Sequence, residues 1–216
     1  MSRAKRPVLV ATLGLAPQVL TETLYALALR DEDRFVPEEI HVITTLPGRE
    51  RVLADLLDGP HPMLRALATD YGIPQLATAL TPERIRVVTD AGGVPLADIG
   101  SEADNTAAAD CILALIRDLT ADPETALHVS IAGGRKTMGF LLGYALSLYG
   151  RPQDRLSHVL VDAPLETHPQ FYYPRPEPET LTDRDGKAFL ADASRVSLAD
   201  IPFVRLRKQL PDWLLV

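Results

Sequence analysis

Cysteine occurs once in the 216 residues, as Cys111, so no internal disulfide framework holds the chain together and a reducing compartment suits it. Long apolar runs are missing too. No stretch approaches the roughly 20 residues that span a bilayer. The apolar start "PVLVATLGLAPQ" is interrupted by Thr12, Gly14 and Pro17, and reads as a first strand rather than a signal-peptide core. A soluble cytoplasmic protein without membrane contact is the expectation. Positive charge is also in short supply: 22 Lys and Arg stand against 29 Asp and Glu, for a formal charge of −7. That balance excludes a broad basic groove for long nucleic acid and leaves room only for a local anion site. Lysine is limited to Lys5, Lys136, Lys187 and Lys208. The five histidines show no metal-ligand spacing, so no metal is expected, and no Gly-x-Ser-x-Gly elbow occurs to present a nucleophilic serine; no other cofactor is expected.

What remains is ample for one core, since 46% of the residues are hydrophobic. Short runs rich in Val, Ile and Leu alternate with helical patterns, which predicts an α/β, Rossmann-like fold: a mainly parallel sheet with helices on both faces. Five strands are predicted at 7–12, 39–45, 84–90, 126–132 and 156–162. Leu20, Leu24 and Leu27 recur at helical spacing after Pro17, and two further helices are stopped by Gly59 and Gly72. "SEADNTAAADCILALIRDL" reads as a helix with acidic residues in its early part, where the helix dipole favours them. "TMGFLLGYALSLYG" is apolar almost all round, which predicts burial against the sheet and against a second subunit. Beyond this the texture changes to a proline-rich stretch and short strand-like runs. The expected division is 1–165 as the Rossmann-like domain and 166–216 as a small β-containing appendage packed on it.

In open parallel sheets ligands bind beyond the carboxyl ends of the strands, where strand order reverses. Two loops have suitable chemistry. In "ATLGLAPQVLTET", Thr12 ends the first strand, Gly14 permits close backbone approach and Gln18 opens the helix. In "SIAGGRKTMG", Gly133 and Gly134 expose backbone N–H groups ahead of a helix, with Arg135, Lys136 and Thr137 following. Helix N–H groups, the positive dipole end and two cations make a phosphate cradle. Glycines at such turns also serve packing, and an Arg-Lys pair also serves solvation, so the second loop by itself leaves both readings. Neither loop has the Walker A or three-glycine dinucleotide spacing, which disfavours ordinary ATP or NAD chemistry. Thr44 and Thr45, at the end of the second strand, have the β-branched character that strands prefer. His128 and His158 fall inside strand patterns and read as structural.

Taken together, "TLGLAPQVLTETLYAL" and "SIAGGRKTMGFLLGYALSLYGRPQDRLSHVLV" resemble the CRISPR-associated Rossmann-fold, or CARF, family over residues 7 to 174. The glycine-pair loop with its Arg-Lys step and following helix is the most specific part. The resemblance implies a homodimer that binds a cyclic oligoadenylate, most often the four-membered ring, in a pocket across the two-fold axis. The ligand residues it implies are Thr12, Gly14, Gln18, Thr45, Gly133, Gly134, Arg135, Lys136 and Thr137. Two functions fit: a metal-independent ring nuclease that linearises the messenger by 2′-OH attack, or a non-catalytic receptor or sponge that relays it to a partner. For the first, Lys136, Thr12 and Arg135 are the expected catalytic residues. Larger relatives carry a HEPN ribonuclease domain with an Arg followed shortly by a His. Arg151 and His158 have that spacing but lie in a predicted turn and strand, so a fused effector is not expected.

Overall fold

A computed structural model describes residues 5–29 and 33–215. Its chain runs β1 (Arg6–Thr12), α1 (Gln18–Ala28), β2 (Glu39–Thr44), α2 (Leu46–Val52), α3 (Met63–Asp70), the short α4 (Leu76–Ala79), β3 (Ile85–Val87), α5 (Glu102–Ala121), β4 (Thr125–Ser130), α6 (Lys136–Tyr149) and β5 (Arg155–Val161). The five predicted strands are all present, each in its expected place. They form a parallel sheet in the order β3-β2-β1-β4-β5, with β8 (Val196–Asp200) antiparallel on the β5 edge. That is a Rossmann-like order. The chain leaves β1 toward β2 and β3, then returns to β4 on the other side of β1, so strand order reverses between β1 and β4.

Strand β1 shows why both sheet faces are covered. Val8 and Val10 point to one face and pack with Ile112 and Leu115 of α5 and Leu142 and Leu146 of α6. Leu9 and Ala11 point to the other, against Leu20, Leu24 and Leu27 of α1 and Leu64 and Leu67 of α3. Each of the Val, Leu and Ile side chains contributes roughly 1.5–3 kcal/mol of burial free energy. An alternating strand with one wet face would have shown polar residues here; this one has none between Pro7 and Ala11.

Local signals explain the helix ends. Ser101 caps α5 by accepting from the Asp104 amide at 3.1 Å, and the Asp104 carboxylate accepts from the Ser101 amide at 2.9 Å, a reciprocal capping box. The helix expected to stop at Gly59 is α2 continued by a π-helical turn over Leu53–Leu57. Gly72, at φ +63, ends α3.

Residues 166–216 divide their roles. β6 (Glu179–Thr182) and β7 (Ala188–Ala191) make a separate hairpin with a small core of Leu165, Phe171, Leu181 and Ala191, whereas β8 joins the main sheet. The proline-rich connector is anchored by Tyr173, which enters the main core and hydrogen-bonds Asp70 at 3.0 Å. Arg151 is held in a buried network: its Nε donates to Asp154 at 2.9 Å, and Asp154 also accepts from the Leu127 amide at 2.9 Å. His158 sits on β5 and contacts the Val159 carbonyl. The Arg151 and His158 pair therefore belongs to the scaffold. His128 is buried too, with Nε2 2.7 Å from the Ser157 hydroxyl. Cys111 is half-buried in α5. No helix among the described residues is long and apolar enough to cross a membrane.

Candidate functional site

Because β1 and β4 are neighbours, the loops that follow them meet at the reversal of strand order. The contact is tight. The Thr12 hydroxyl donates to the Gly133 carbonyl at 2.7 Å, and the Thr44 hydroxyl donates to the Leu13 carbonyl at 2.8 Å. A Cβ on Gly133 would lie 2.4 Å from the Thr12 carbonyl oxygen, so only glycine fits there. Gly134 adopts φ +79, a left-handed conformation that favours glycine, with Thr12 Cβ 3.1 Å from where its own Cβ would be. The glycine pair thus serves close packing and also exposes main chain. The N–H groups of Gly133, Gly134 and Arg135 reach no protein acceptor among the described residues, nor do those of Gly14, Leu15 and Ala16. Residues of both sets line the crevice beyond the strand ends, one set at the N-terminus of the 14-residue α6.

The ridge where Gly14 meets Gly134 divides the crevice into two hollows. One, of about 360 Å³, is lined by Gly14, Gln18, Glu22, Gly133 and Gly134 together with Glu166, Thr167 and His168 from the segment after β5. The other, of about 520 Å³, is lined by Gly14, Thr45, Pro47, Asp98, Gly134, Arg135 and Met138. Of the residues predicted to contact a ligand, Gly14, Gln18, Thr45, Gly133, Gly134 and Arg135 are brought together here. Thr12 is not at the surface: it is fully buried beneath the loops, and its hydroxyl is committed to Gly133. Lys136 and Thr137 are exposed on the first turn of α6 and line neither hollow. Lys136 shares a helix face with Phe140 and Tyr144, which lie four and eight residues on. Their rings stack with centroids 6.3 Å apart, and Phe140 is 72% exposed. The helix that its composition marked for burial on two sides is therefore covered by this chain on one.

The electrostatics are more balanced than the Arg-Lys step implies. Arg135 makes a bidentate ion pair with Asp98, its Nε 3.0 Å from Oδ1. This pair holds the Asp98 carboxyl below its usual range. Lys136 has no ion-pair partner among the described residues. Glu22 is the unusual group. It is 6% exposed on a helix whose other buried polar residues, Thr21 and Thr23, are hydrogen-bonded, whereas Glu22 makes neither a hydrogen bond nor an ion pair among the described residues. Burial, and secondarily the charge of Glu166, pushes its carboxyl up to about 8. Among the described residues no three His, Cys, Asp or Glu side chains are arranged to hold a metal ion.

Sequence reasoning did not single out Glu22, Asp98, Glu166 or His168. For Glu22 a signal existed, one acid between Leu20 and Leu24 on an apolar helix, four residues beyond Gln18 and so on the same face. The others come from distant loops with no local pattern.

The family model described as CRISPR-associated protein NE0113 matches residues 16–216. No curated protein matches the chain. Among solved structures, Enterococcus italicus Csm6 bound to cyclic hexa-2′-fluoro-hexa-dAMP is similar, with a TM-score of 0.44 and 13% identity, covering 74% of this chain and 35% of that one.

Proposed function

The chain belongs to the CRISPR-associated protein NE0113 family, and from that premise we propose that its crevice binds a cyclic oligoadenylate and opens the ring. The observation that carries the reading is the meeting, at the reversal of strand order, of two loops, Gly14–Ala16 and Gly133–Arg135, whose N–H groups have no acceptor among the described residues. Main-chain donors at a helix N-terminus suit a phosphodiester, and they need no basic surface, in keeping with the acidic chain. The sequence resemblance to CARF proteins supplies the class of anion. A second copy packs through the exposed Lys136, Phe140 and Tyr144 face of α6, where an isologous contact brings two crevices to one axis and two ammonium groups near one ring. A ring of four adenylates has the two-fold symmetry to satisfy both.

Ring opening proceeds by attack of a ribose 2′-oxygen on the adjacent phosphorus, giving a 2′,3′-cyclic phosphate. Alignment within the bound ring lowers such a barrier by roughly 7–11 kcal/mol, and the loop amides stabilise charge on the non-bridging oxygens. In this scheme Thr12 is a positioning residue that fixes the Gly133 carbonyl. One observation favours the receptor alternative: the Thr12 hydroxyl is spent on the loop contact and the Arg135 guanidinium on Asp98, so neither is free to hold the reacting 2′-hydroxyl or phosphate. Incubating the protein with labelled cyclic tetra-adenylate in EDTA separates the two. Linear products support ring opening, stable binding without turnover supports the receptor, and the absence of binding refutes both. Sedimentation tests the subunit contact: Phe140→Asp is expected to convert a dimer to a monomer, and a monomeric wild type that binds the ring would contradict it.

A further inference from the structure

We propose that Glu22 and Glu166 are the acid–base pair of the crevice, Glu22 giving a proton to the departing 5′-oxygen and Glu166 accepting the proton of the attacking 2′-hydroxyl. This assignment rests on the ring-opening reading and supplies the proton transfers that reading lacks. Three titratable side chains line the hollow beside the Gly133 and Gly134 amides: Glu22, Glu166 and His168. His168 is occupied on both ring nitrogens, with Nδ1 accepting from the Gln170 amide at 3.3 Å and Nε2 at 3.2 Å from the Thr182 carbonyl. It is a wall group, held by the hairpin.

The two glutamates have unlike surroundings. Glu22 is more than nine-tenths buried, unpartnered among the described residues, and lines the cavity from α1. A largely buried carboxyl that pairs with no protein group is cheaper neutral than charged, which favours the protonated form. Glu166 lies exposed in the lining of the same hollow and is the charge that Glu22 senses most. Two carboxyls whose environments divide them in this way take opposite roles, the buried one as acid and the solvated one as base. With its titration moved up to about 8, Glu22 is protonated at neutral pH and still acidic enough to donate.

The step balances without a co-reactant. The 2′-oxygen to phosphorus bond forms and the phosphorus to 5′-oxygen bond breaks. Glu166 gains the 2′-hydroxyl proton and Glu22 loses its own to the 5′-oxygen. Water in the open hollow then returns the proton from Glu166 to Glu22.

The test uses the full-length protein, two rings and two variants. One ring is cyclic tetra-adenylate; the other carries sulfur in place of each bridging 5′-oxygen, so that the leaving group departs as a thiolate and needs no proton. Glu22→Gln keeps the shape and neutrality of the buried acid, and its fold is checked by its melting curve. On the oxygen ring it is expected to lose at least about 10²-fold in turnover while its affinity stays close to that of wild type. On the sulfur ring it is expected to match wild type. Wild-type turnover should fall as pH rises through the titration of Glu22, and that limb should vanish in the variant. Glu166→Gln should slow both rings, because the attacking group is unchanged. Full turnover of the oxygen ring by Glu22→Gln, or an equally deep loss on the sulfur ring, overturns the assignment while ring opening stands. A wild type that binds both rings and cleaves neither overturns ring opening, and the pair with it.

Discussion

Replacing Gly133 by alanine tests the loop junction in the smallest possible step. The added methyl would meet the Thr12 carbonyl oxygen at 2.4 Å, Val19 Cγ1 at 3.0 Å and Leu13 Cδ2 at 3.2 Å. The first of these is backbone of the central strand, so the β4–α6 loop must move instead. Its movement breaks the hydrogen bond from Thr12 to Gly133. Overpacking of this kind costs about 1–3 kcal/mol. For a chain of this size each kcal/mol lowers the melting temperature by about 2–4 °C, so a fall of roughly 2–12 °C is expected. Ring affinity should fall with it, because the Gly134 and Arg135 amides leave their positions. Gly100→Ala is the control: a Cβ there meets nothing within 4 Å, and its effect should stay within about 0.5 kcal/mol. Differential scanning calorimetry and a ring-binding titration read both quantities. A Gly133→Ala protein that melts with wild type and binds the ring unchanged would refute the claim that this contact sets the site.

Glu22 makes a second prediction, about stability rather than catalysis. Its carboxyl moves from 4.5 to about 8 on folding, so the folded state holds a proton that the unfolded chain releases between those values. The contribution is complete below about pH 4.5 and is lost as pH rises through 8, at up to about 1.4 kcal/mol per pH unit. Urea titrations from pH 5 to 8 should show wild type weakening relative to Glu22→Gln; parallel curves would contradict the shift. Asp98→Ala frees Arg135 from its ion pair. The exposed pair adds little to folding, so the melting temperature should hold while ring binding tightens; weaker binding would mean that Asp98 organises the site instead. Asp154→Ala strands buried Arg151 and should cost about 3–5 kcal/mol in a denaturant titration, against which a near-neutral result would count.

The sheet was legible because β1, β2, β4 and β5 are short runs of Val, Ile and Leu between glycine and proline signals, and because such runs alternate with helical spacing. The loop pair was legible for a related reason. Gly133 and Gly134 stand at a strand-to-helix step, where glycine has a steric cause: a Cβ at either position would press on Thr12. Adjacency to the glycines places Lys136 on the first turn of α6, but which face it takes depends on helix phase: it shares one with Phe140 and Tyr144 and lines neither hollow of this chain. The emphasis therefore shifts from the ammonium to main-chain amides. Thr12 illustrates the same limit: its place at the strand end is local information, while the direction of its hydroxyl depends on a loop 121 residues away. The lining at Glu166 and His168, and the Asp98 partner of Arg135, arise from contacts between distant segments that no periodicity encodes.

The central claim is that phosphodiesters of the ring sit on the main-chain donors of the two loops. Amide NMR of the ¹⁵N-labelled protein, titrated with unlabelled cyclic tetra-adenylate, addresses it most directly. The account predicts that the largest shifts fall on Gly14, Leu15, Gly133, Gly134 and Arg135. Shifts that leave these amides in place and gather elsewhere, for example around Cys111 on α5, would contradict it.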